Sequence, residues 1–212
     1  MKSRKGFKWI FIYGPPRTGS TYLLRQIRNQ SKHSVSDWGL GSILKPFISM
    51  PGGIDKKKFL EDLTVNLLSR SQRNSRGHFD LVLKAANGNL EEFQCYKEMF
   101  GQPERIIFTI REPSGYMSSA HKKFPKKTLS HLQRSYLRMM KLYQSIGGEI
   151  LDYSPLLSTN SYRVLLHHLG LIKGEIERFQ FKGSKADDLV NDRMIGDYRK
   201  FIRKNREKAF KL

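Results

Sequence analysis

One stretch, residues 11–24, constrains the fold of this chain more than any other. It reads FIYGPPRTGSTYLL, an apolar run, a turn rich in glycine and proline, and then hydroxyl residues followed by leucines. From Gly14 to Thr21 the spacing is that of the phosphate-binding loop G-x-x-x-x-G-K-[ST], with Ser20 in the position of the lysine. Such a loop points backbone N–H groups at the start of a helix, so the stretch predicts a strand, an anion-binding turn and a helix.

The missing lysine limits the anions that this loop suits. Without a positive charge over the β- and γ-phosphates, the loop is poorly equipped to hydrolyse ATP or GTP. Arg17 supplies a positive charge from within the loop, and its planar fork can bind an anionic group through two hydrogen bonds. The alternative is a turn that merely contains Gly, Pro and Ser, but the flanking strand and helix favour an anion site.

The charge balance indicates an anionic partner. The chain has 39 Lys and Arg against 19 Asp and Glu, a formal net charge of +20. A nucleotide, an acidic glycan, nucleic acid or a membrane surface would each match this sign. The basic residues are spread along the chain, so they indicate the sign of the partner and not its identity.

The length of the chain and its cysteine content limit the number of domains and the cellular compartment that we expect. The 212 residues suit a single α/β domain over 1–212, with a basic, helical segment at 187–212 whose packing on the domain the sequence leaves open. A single cysteine excludes an intramolecular disulfide and fits a reducing compartment. The apolar run at 9–13 is too short for a signal peptide or a membrane span. We therefore expect a cytoplasmic protein without a membrane span.

Strands and helices alternate along the chain. The apolar patterns predict strands at 8–13, 34–38, 80–84, 105–111 and 149–153. They predict helices at 20–29, 57–70, 90–100, 116–122, 129–145, 161–169 and 187–208. This order predicts a three-layer α/β fold, a parallel sheet flanked by helices, and the spacing of the loop after the first strand makes it P-loop nucleotide-kinase-like. Ligands of such sheets bind beyond the carboxyl ends of the strands.

Two of these strand ends resemble one family together. The segment PRTGSTY at 16–22 resembles the 5′-phosphosulfate loop of sulfotransferases that use 3′-phosphoadenosine 5′-phosphosulfate (PAPS). The segment IREPSGYMSS at 110–119 resembles their 3′-phosphate motif, an arginine at a strand end with a serine eight positions later. Arg111 and Ser119 take these two positions, where a guanidinium and a hydroxyl can converge on one phosphate.

The resemblance implies a co-substrate and a set of binding residues. It implies PAPS, with adenosine 3′,5′-bisphosphate as product, transfer of a sulfuryl group to a hydroxyl (an amine is the second choice), and no metal. The residues expected to hold the 5′-phosphosulfate are Pro16, Arg17, Thr18, Gly19, Ser20 and Thr21. Ser20 also suits a helix N-cap. Tyr22 and Tyr153 are candidate adenine contacts, with core packing as the alternative for both.

The catalytic candidates are Arg17, Lys84 and Asp37. Lys84 ends a strand where family members keep a lysine, and an exposed strand-end lysine is its alternative. The histidine base that follows it in some members is absent here. Asp37 falls where other members carry a carboxylate base, and a turn-forming aspartate is its alternative. His78 and His121 are further candidates for the base.

Two rival functions differ from this prediction. The first is a P-loop kinase or nucleotide hydrolase, which would require a lysine at position 20 and magnesium ligands. The second is a non-enzymatic protein that binds nucleic acid or another polyanion on a nucleotide-binding scaffold. We expect the acceptor to be a small molecule or a glycan, with an anionic glycan suiting the charge, and we do not expect nucleic acid as a partner.

Overall fold

A computed structural model describes most of the chain. The described residues are 8–30, 34–36, 55, 58–59, 61–63, 65–66, 81–85, 89–153, 159–178, 189–205 and 209–210. Within them the strands are β1 (Trp9–Tyr13), β2 (Ser34–Ser36), β3 (Leu81–Ala85), β4 (Arg105–Ile110), β5 (Glu149–Asp152) and β6 (Ala209–Phe210). The helices with described bounds are α1 (Ser20–Gln30), α2 (Leu90–Phe100), α3 (Pro113–Lys123), α4 (Leu129–Ile146), α5 (Thr159–His168) and α6 (Asp192–Lys204).

The strands form one sheet in the order β2-β3-β1-β4-β5-β6, and every neighbouring pair is parallel. In the register of β1 with β3, Ile12 lies opposite Lys84 and Tyr13 opposite Ala85. The chain therefore leaves β1, β3, β4 and β5 at the same edge of the sheet. The predicted α/β class and parallel sheet are confirmed.

Alternate residues of the buried strands face two separate apolar cores. Trp9, Phe11 and Tyr13 of β1 pack with side chains of α2, α3, α4 and α6 on one face of the sheet. Ile10 and Ile12 pack with α1 and α5 on the other face. Because side chains of a strand alternate between faces, an almost continuous apolar run is the expected sequence of a strand covered on both sides.

Helix α3 begins earlier than the sequence predicts. The predicted helix starts at 116 after a proline-containing turn, whereas in the structure Pro113 is already in the first turn and Glu112 is the N-cap. The Glu112 carboxylate accepts a hydrogen bond of 2.8 Å from the N–H of Gly115. Proline fits the first turn of a helix because the N–H that it lacks would have no intrahelical partner there.

The C-terminal segment contributes to both the core and the sheet. Met194, Phe201 and Ile202 of α6 are buried in the same cluster as α4. After α6 the chain forms β6, which pairs in parallel with β5. The sequence predicts no strand here, since the pairing residues 209–210 follow a basic helical pattern.

Candidate functional site: an anion-binding loop facing an arginine and a serine

The glycine-rich loop connects β1 to α1 in a tight, strained path. Its first N–H, that of Gly14, donates to the carbonyl of Ala85 at 3.3 Å, which fixes the loop to the neighbouring strand. Arg17 has a φ of 77° and Gly19 a φ of 89°. A non-glycine residue at positive φ costs free energy and is concentrated at functional sites. Arg17 is also solvent-exposed, so its side chain is accessible to a ligand.

A buried pair of hydroxyls holds this loop against β4. The Thr18 hydroxyl lies 2.8 Å from the Thr109 hydroxyl and also donates to the carbonyl of Pro15 at 2.8 Å. A Cβ on Gly14 would come within 2.0 Å of the Thr109 Oγ1. Glycine is therefore required at 14 by the close approach of β4 and not by its own backbone angles.

The ring of Tyr153 covers the other end of the loop. A Cβ on Gly19 would lie 2.5 Å from the Tyr153 Cδ2. Tyr22, Tyr153 and Tyr162 form an aromatic cluster, with the Tyr22 and Tyr153 ring centroids 6.4 Å apart. Burial raises the pKa of Tyr153 to about 12, and the nearby Arg111 opposes that rise. The Tyr22 hydroxyl donates a hydrogen bond to the carbonyl of Glu177 at 2.5 Å. Tyr22 and Tyr153, the two predicted adenine contacts, therefore both also pack against other parts of the protein.

Arg111 follows β4 directly, and its side chain is only 6% exposed. Its backbone carbonyl accepts a hydrogen bond of 2.6 Å from the buried Tyr136 hydroxyl of α4. A Cβ on Gly115 would lie 2.8 Å from the Arg111 Nε, so this glycine makes room for the guanidinium over the first turn of α3. Strand end, helix start and α4 together fix where Arg111 lies.

The positive charge of Arg111 lies close to both an anion and a second cation. Burial is the main cause that lowers the pKa of its guanidinium. The Glu112 carboxylate raises this pKa, and the like charge of Arg17 lowers it to a smaller extent. An arginine side chain stays charged in proteins, so two cations that repel each other remain at this edge of the sheet. A bound anion between them would relieve the repulsion.

Arg17 and Ser119 bring the loop and the second predicted motif together. The Arg17 Nε donates a hydrogen bond of 2.9 Å to the Ser119 Oγ across a separation of 102 residues. Ser119 lies within α3, which begins beside Arg111. A serine hydroxyl that accepts one hydrogen bond keeps its proton for another acceptor.

The remaining predicted site residues are distributed around the loop. Ser20 and Thr21 open α1, where Ser20 is 3% exposed and Thr21 is exposed; Pro16 is partly buried in the turn. Lys84, 8% exposed, lies on β3 opposite Ile12, on the face of the sheet that α1 covers.

Of the three candidates for the general base, only one lies within the described residues. Asp37 and His78 lie outside the described residues. His121 is on α3, partly buried, two positions after Ser119. In the parts of the chain that the structure describes, no group of three or more His, Cys, Asp or Glu residues is placed to hold a metal ion.

Two contributors to the site were missed by sequence reasoning. Thr109 interrupts the otherwise apolar end of β4, RIIFTI, and a polar residue next to the end of a buried strand is a signal that could have identified it. Tyr136 carries no comparable signal, because a tyrosine in an amphipathic helix also suits ordinary core packing.

No protein-family model and no curated protein sequence matches this chain. Among solved structures, a sulfotransferase domain of the olefin synthase of Synechococcus PCC 7002 aligns at 13% identity and a TM-score of 0.46, covering 92% of this chain and 86% of that one. The tunicamycin resistance protein of Deinococcus radiodurans aligns at 11% identity and a TM-score of 0.48, covering 80% and 99%.

A sugar kinase of Janibacter sp. HTCC2649 aligns at 11% identity and a TM-score of 0.43, covering 79% of this chain and 99% of that one. Identities and TM-scores this low carry no argument about what the chain binds or does. None of the helices in the described residues combines the length and the apolar character needed to cross a membrane.

Proposed function

We propose that this chain is a PAPS-dependent sulfotransferase that moves a sulfuryl group to a hydroxyl acceptor. The observation that supports the proposal most strongly is the hydrogen bond from Arg17 to Ser119, which joins two motifs, distant in sequence, that are each predicted to bind an anion. A nucleotide carrying an additional phosphate on its ribose would present anionic groups to both motifs at once. A nucleotide with phosphates at the 5′ position alone would leave the second motif without a ligand.

The first anionic group would lie on the loop. Backbone N–H groups at the start of α1, together with the positive end of the helix dipole, favour a phosphate or sulfate there. Arg17 contributes a charged fork from within the loop. Ser20 stands where a nucleotide kinase has its lysine, so the loop lacks the charge that would lie over the γ-phosphate of ATP.

The second anionic group would lie between Arg111 and Ser119. The backbone of Arg111 is fixed by the hydrogen bond from Tyr136, and its guanidinium lies over Gly115 with little exposure to solvent. Ser119 retains its hydroxyl proton for donation to a phosphate oxygen, because its Oγ accepts from Arg17. Charge-assisted hydrogen bonds of this type contribute about 1.5–3 kcal/mol each.

The reaction would be an in-line displacement at sulfur. The acceptor oxygen forms a bond to sulfur while the bond from sulfur to the bridging phosphate oxygen breaks, and the 5′-phosphate leaves with that electron pair. Arg17, and Lys84 from β3, would stabilise the charge that develops on the leaving phosphate. A base takes the proton of the acceptor hydroxyl, and we propose Asp37 as this base. A general base typically raises the rate by ~10²–10⁴-fold.

Calorimetry with adenosine 3′,5′-bisphosphate and AMP tests the proposal. We expect the bisphosphate to bind more tightly than AMP, and the Arg111→Ala variant to lose about tenfold to a hundredfold in affinity for the bisphosphate only. Arg134→Ala is the matched control, because Arg134 is an exposed arginine of α4, a helix that carries neither of the two motifs. Its affinity for both ligands is expected to equal that of the unchanged chain.

Three outcomes would overturn the proposal or direct it elsewhere. Equal affinity for AMP and the bisphosphate would remove the 3′-phosphate assignment. Tight binding of ATP with Mg²⁺ would favour a P-loop kinase. Binding of DNA that falls steeply with salt, with no preference among nucleotides, would favour a polyanion-binding protein.

A further inference from the structure

A basic groove runs between α4 and α6, and no residue of the loop at 14–21 or of α3 lines it. Its volume is about 650 Å³. Helix α6 contributes Arg193, Asp197, Lys200 and Lys204 at intervals of four, three and four residues, which place them on one face of the helix. This stripe extends about 16 Å at the helical rise of 1.5 Å per residue.

The cations of this groove are not neutralised by carboxylates of the described chain. Lys141 of α4 faces the stripe from the opposite wall, and all four basic side chains are exposed. Within the described residues none of them forms an ion pair, although Asp197 lies in the same groove. A linear run of exposed positive charge matches a linear anion.

The aromatic side chains on the floor of the groove are largely covered. Met140, Tyr143 and Phe201 line it, but each is at most 6% exposed, and Tyr143 packs edge-on against Phe201 with ring centroids 5.1 Å apart. A single-stranded nucleic acid would find no aromatic face on which to stack its bases.

The polar residues of the groove match a ligand that also carries hydroxyl groups. Asp197 and the Gln144 amide are acceptors for hydroxyl donors, and Gln144 also donates. The Asn205 amide N–H₂ donates to the carbonyl of Phe201 at 2.8 Å, so its oxygen is the group that can accept from a ligand hydroxyl. The Asp197 carboxylate repels any anionic chain, but it can accept hydrogen bonds from the free hydroxyls of a glycan, which a DNA strand carries only at its ends.

We propose that the groove between α4 and α6 binds an acidic glycan chain, one that carries sulfate or carboxylate groups and free hydroxyls. The cations bind the anionic groups of the glycan, and Asp197, Gln144 and Asn205 bind its hydroxyls. The groove acts as a docking surface distinct from the nucleotide site, and its binding does not require nucleotide.

The experiment measures binding of a heparin hexasaccharide by fluorescence anisotropy, without nucleotide, over a range of salt concentrations. The charge-reversal pair Lys200→Glu and Lys204→Glu is expected to weaken binding by about tenfold or more, because two contacts are lost and two repulsions are added. Lys122→Glu with Lys126→Glu makes the same change of charge at exposed positions outside the groove. That control is expected to alter affinity by about twofold or less.

A second readout tests the specificity for sugar. Asp197→Ala is expected to strengthen binding of a single-stranded oligonucleotide of equal charge more than binding of the hexasaccharide, because only the sugar loses hydrogen bonds. Equal losses in the two charge-reversal variants would overturn the proposal in favour of general surface charge. An oligonucleotide that binds the unchanged chain as tightly as the hexasaccharide would overturn the assignment to a glycan.

Two controls keep these outcomes separate from folding and from the nucleotide proposal. Far-ultraviolet circular dichroism compares the folding of each variant, and Lys200→Gln with Lys204→Gln repeats the test with side chains of similar length if the reversed charges prevent folding. Calorimetry with adenosine 3′,5′-bisphosphate is expected to give the same affinity for the Lys200 and Lys204 variants as for the unchanged chain. If adenosine 3′,5′-bisphosphate fails to bind but the hexasaccharide still binds, the glycan groove is supported and the proposed nucleotide site is not.

Discussion

The Nε of Arg17 donates a hydrogen bond to the Oγ of Ser119 at 2.9 Å, although the two residues are 102 positions apart in the chain. Arg17 is in the loop after β1, and Ser119 is in the helix after β4. Because β1 and β4 are parallel neighbours, their carboxyl ends meet at one edge of the sheet. The contact therefore connects two segments that each have the composition of an anion site.

The first prediction is that Arg17 and Ser119 act as a coupled pair in nucleotide binding. Arg17→Ala and Ser119→Ala are each expected to weaken binding of adenosine 3′,5′-bisphosphate. The double variant is expected to lose less than the sum, with an interaction energy of about 0.5–3 kcal/mol, because each residue orients the other. Calorimetry on the four proteins measures this, with the exposed Ser130→Ala as a control. Strictly additive losses would show that the contact has no part in binding.

A second prediction concerns the contact between Gly19 and the ring of Tyr153. Gly19→Ala adds a Cβ at a φ of 89° and at 2.5 Å from the ring. Gly101→Ala is a matched control, because Gly101 has a φ of 78° and open space around it. We expect Gly101→Ala to cost about 1–3 kcal/mol for backbone strain, because its ψ of −161° places it in a region essentially confined to glycine, and Gly19→Ala to cost more.

Urea unfolding of both variants measures the two costs. Addition of Tyr153→Ala is expected to reduce the cost of Gly19→Ala to about that of Gly101→Ala, because the ring is then absent. Equal costs for the two alanines in the presence of Tyr153 would be inconsistent with a tight contact at this end of the loop.

The third prediction is that Tyr136 positions Arg111. Tyr136→Phe removes the donor to the Arg111 carbonyl and leaves a buried acceptor unsatisfied, at a cost of about 1–3 kcal/mol. Tyr116→Phe removes a similar buried donor, to the carbonyl of Leu132. Both variants are expected to lower the free energy of unfolding, but only Tyr136→Phe is expected to weaken binding of the 3′-phosphate. Similar affinities for the two variants would limit Tyr136 to a structural role.

The fourth prediction is a loss of stability at alkaline pH. Burial raises the pKa of Tyr13 and of Tyr153 from 10.0 to about 12, so the folded protein favours their neutral forms. The stabilisation is complete below about pH 10 and is lost as the pH rises from 10 towards 12, because the unfolded chain then releases protons that the folded chain retains. Ultraviolet absorbance of phenolate, followed together with circular dichroism, measures both events. Phenolate that forms near pH 10 in a protein still folded would contradict this account.

The sequence predicts the layers of the fold well because its signals are local. Apolar runs identify β1 and β4, and the helical stripe predicts α2 at 90–100, the bounds that the structure has. Strands buried on both faces must be apolar throughout, so the pattern alone specifies a sheet with two covered faces. The start of α3 was not predicted, because Pro113 suits both a turn and the first turn of a helix. The strand β6 was not predicted, because it forms only by pairing with the edge of β5.

The sequence by itself determined which chemical groups are present at the candidate site. It placed Arg17 inside a loop with the spacing of an anion cradle and set Arg111 and Ser119 eight positions apart. Only the tertiary structure decided that Ser119 accepts from Arg17, that Thr109 holds the loop and that Tyr136 holds Arg111. The reason is physical. Loop and helix propensities act between near neighbours in the chain, whereas strand order and core packing bring together residues that no local pattern relates.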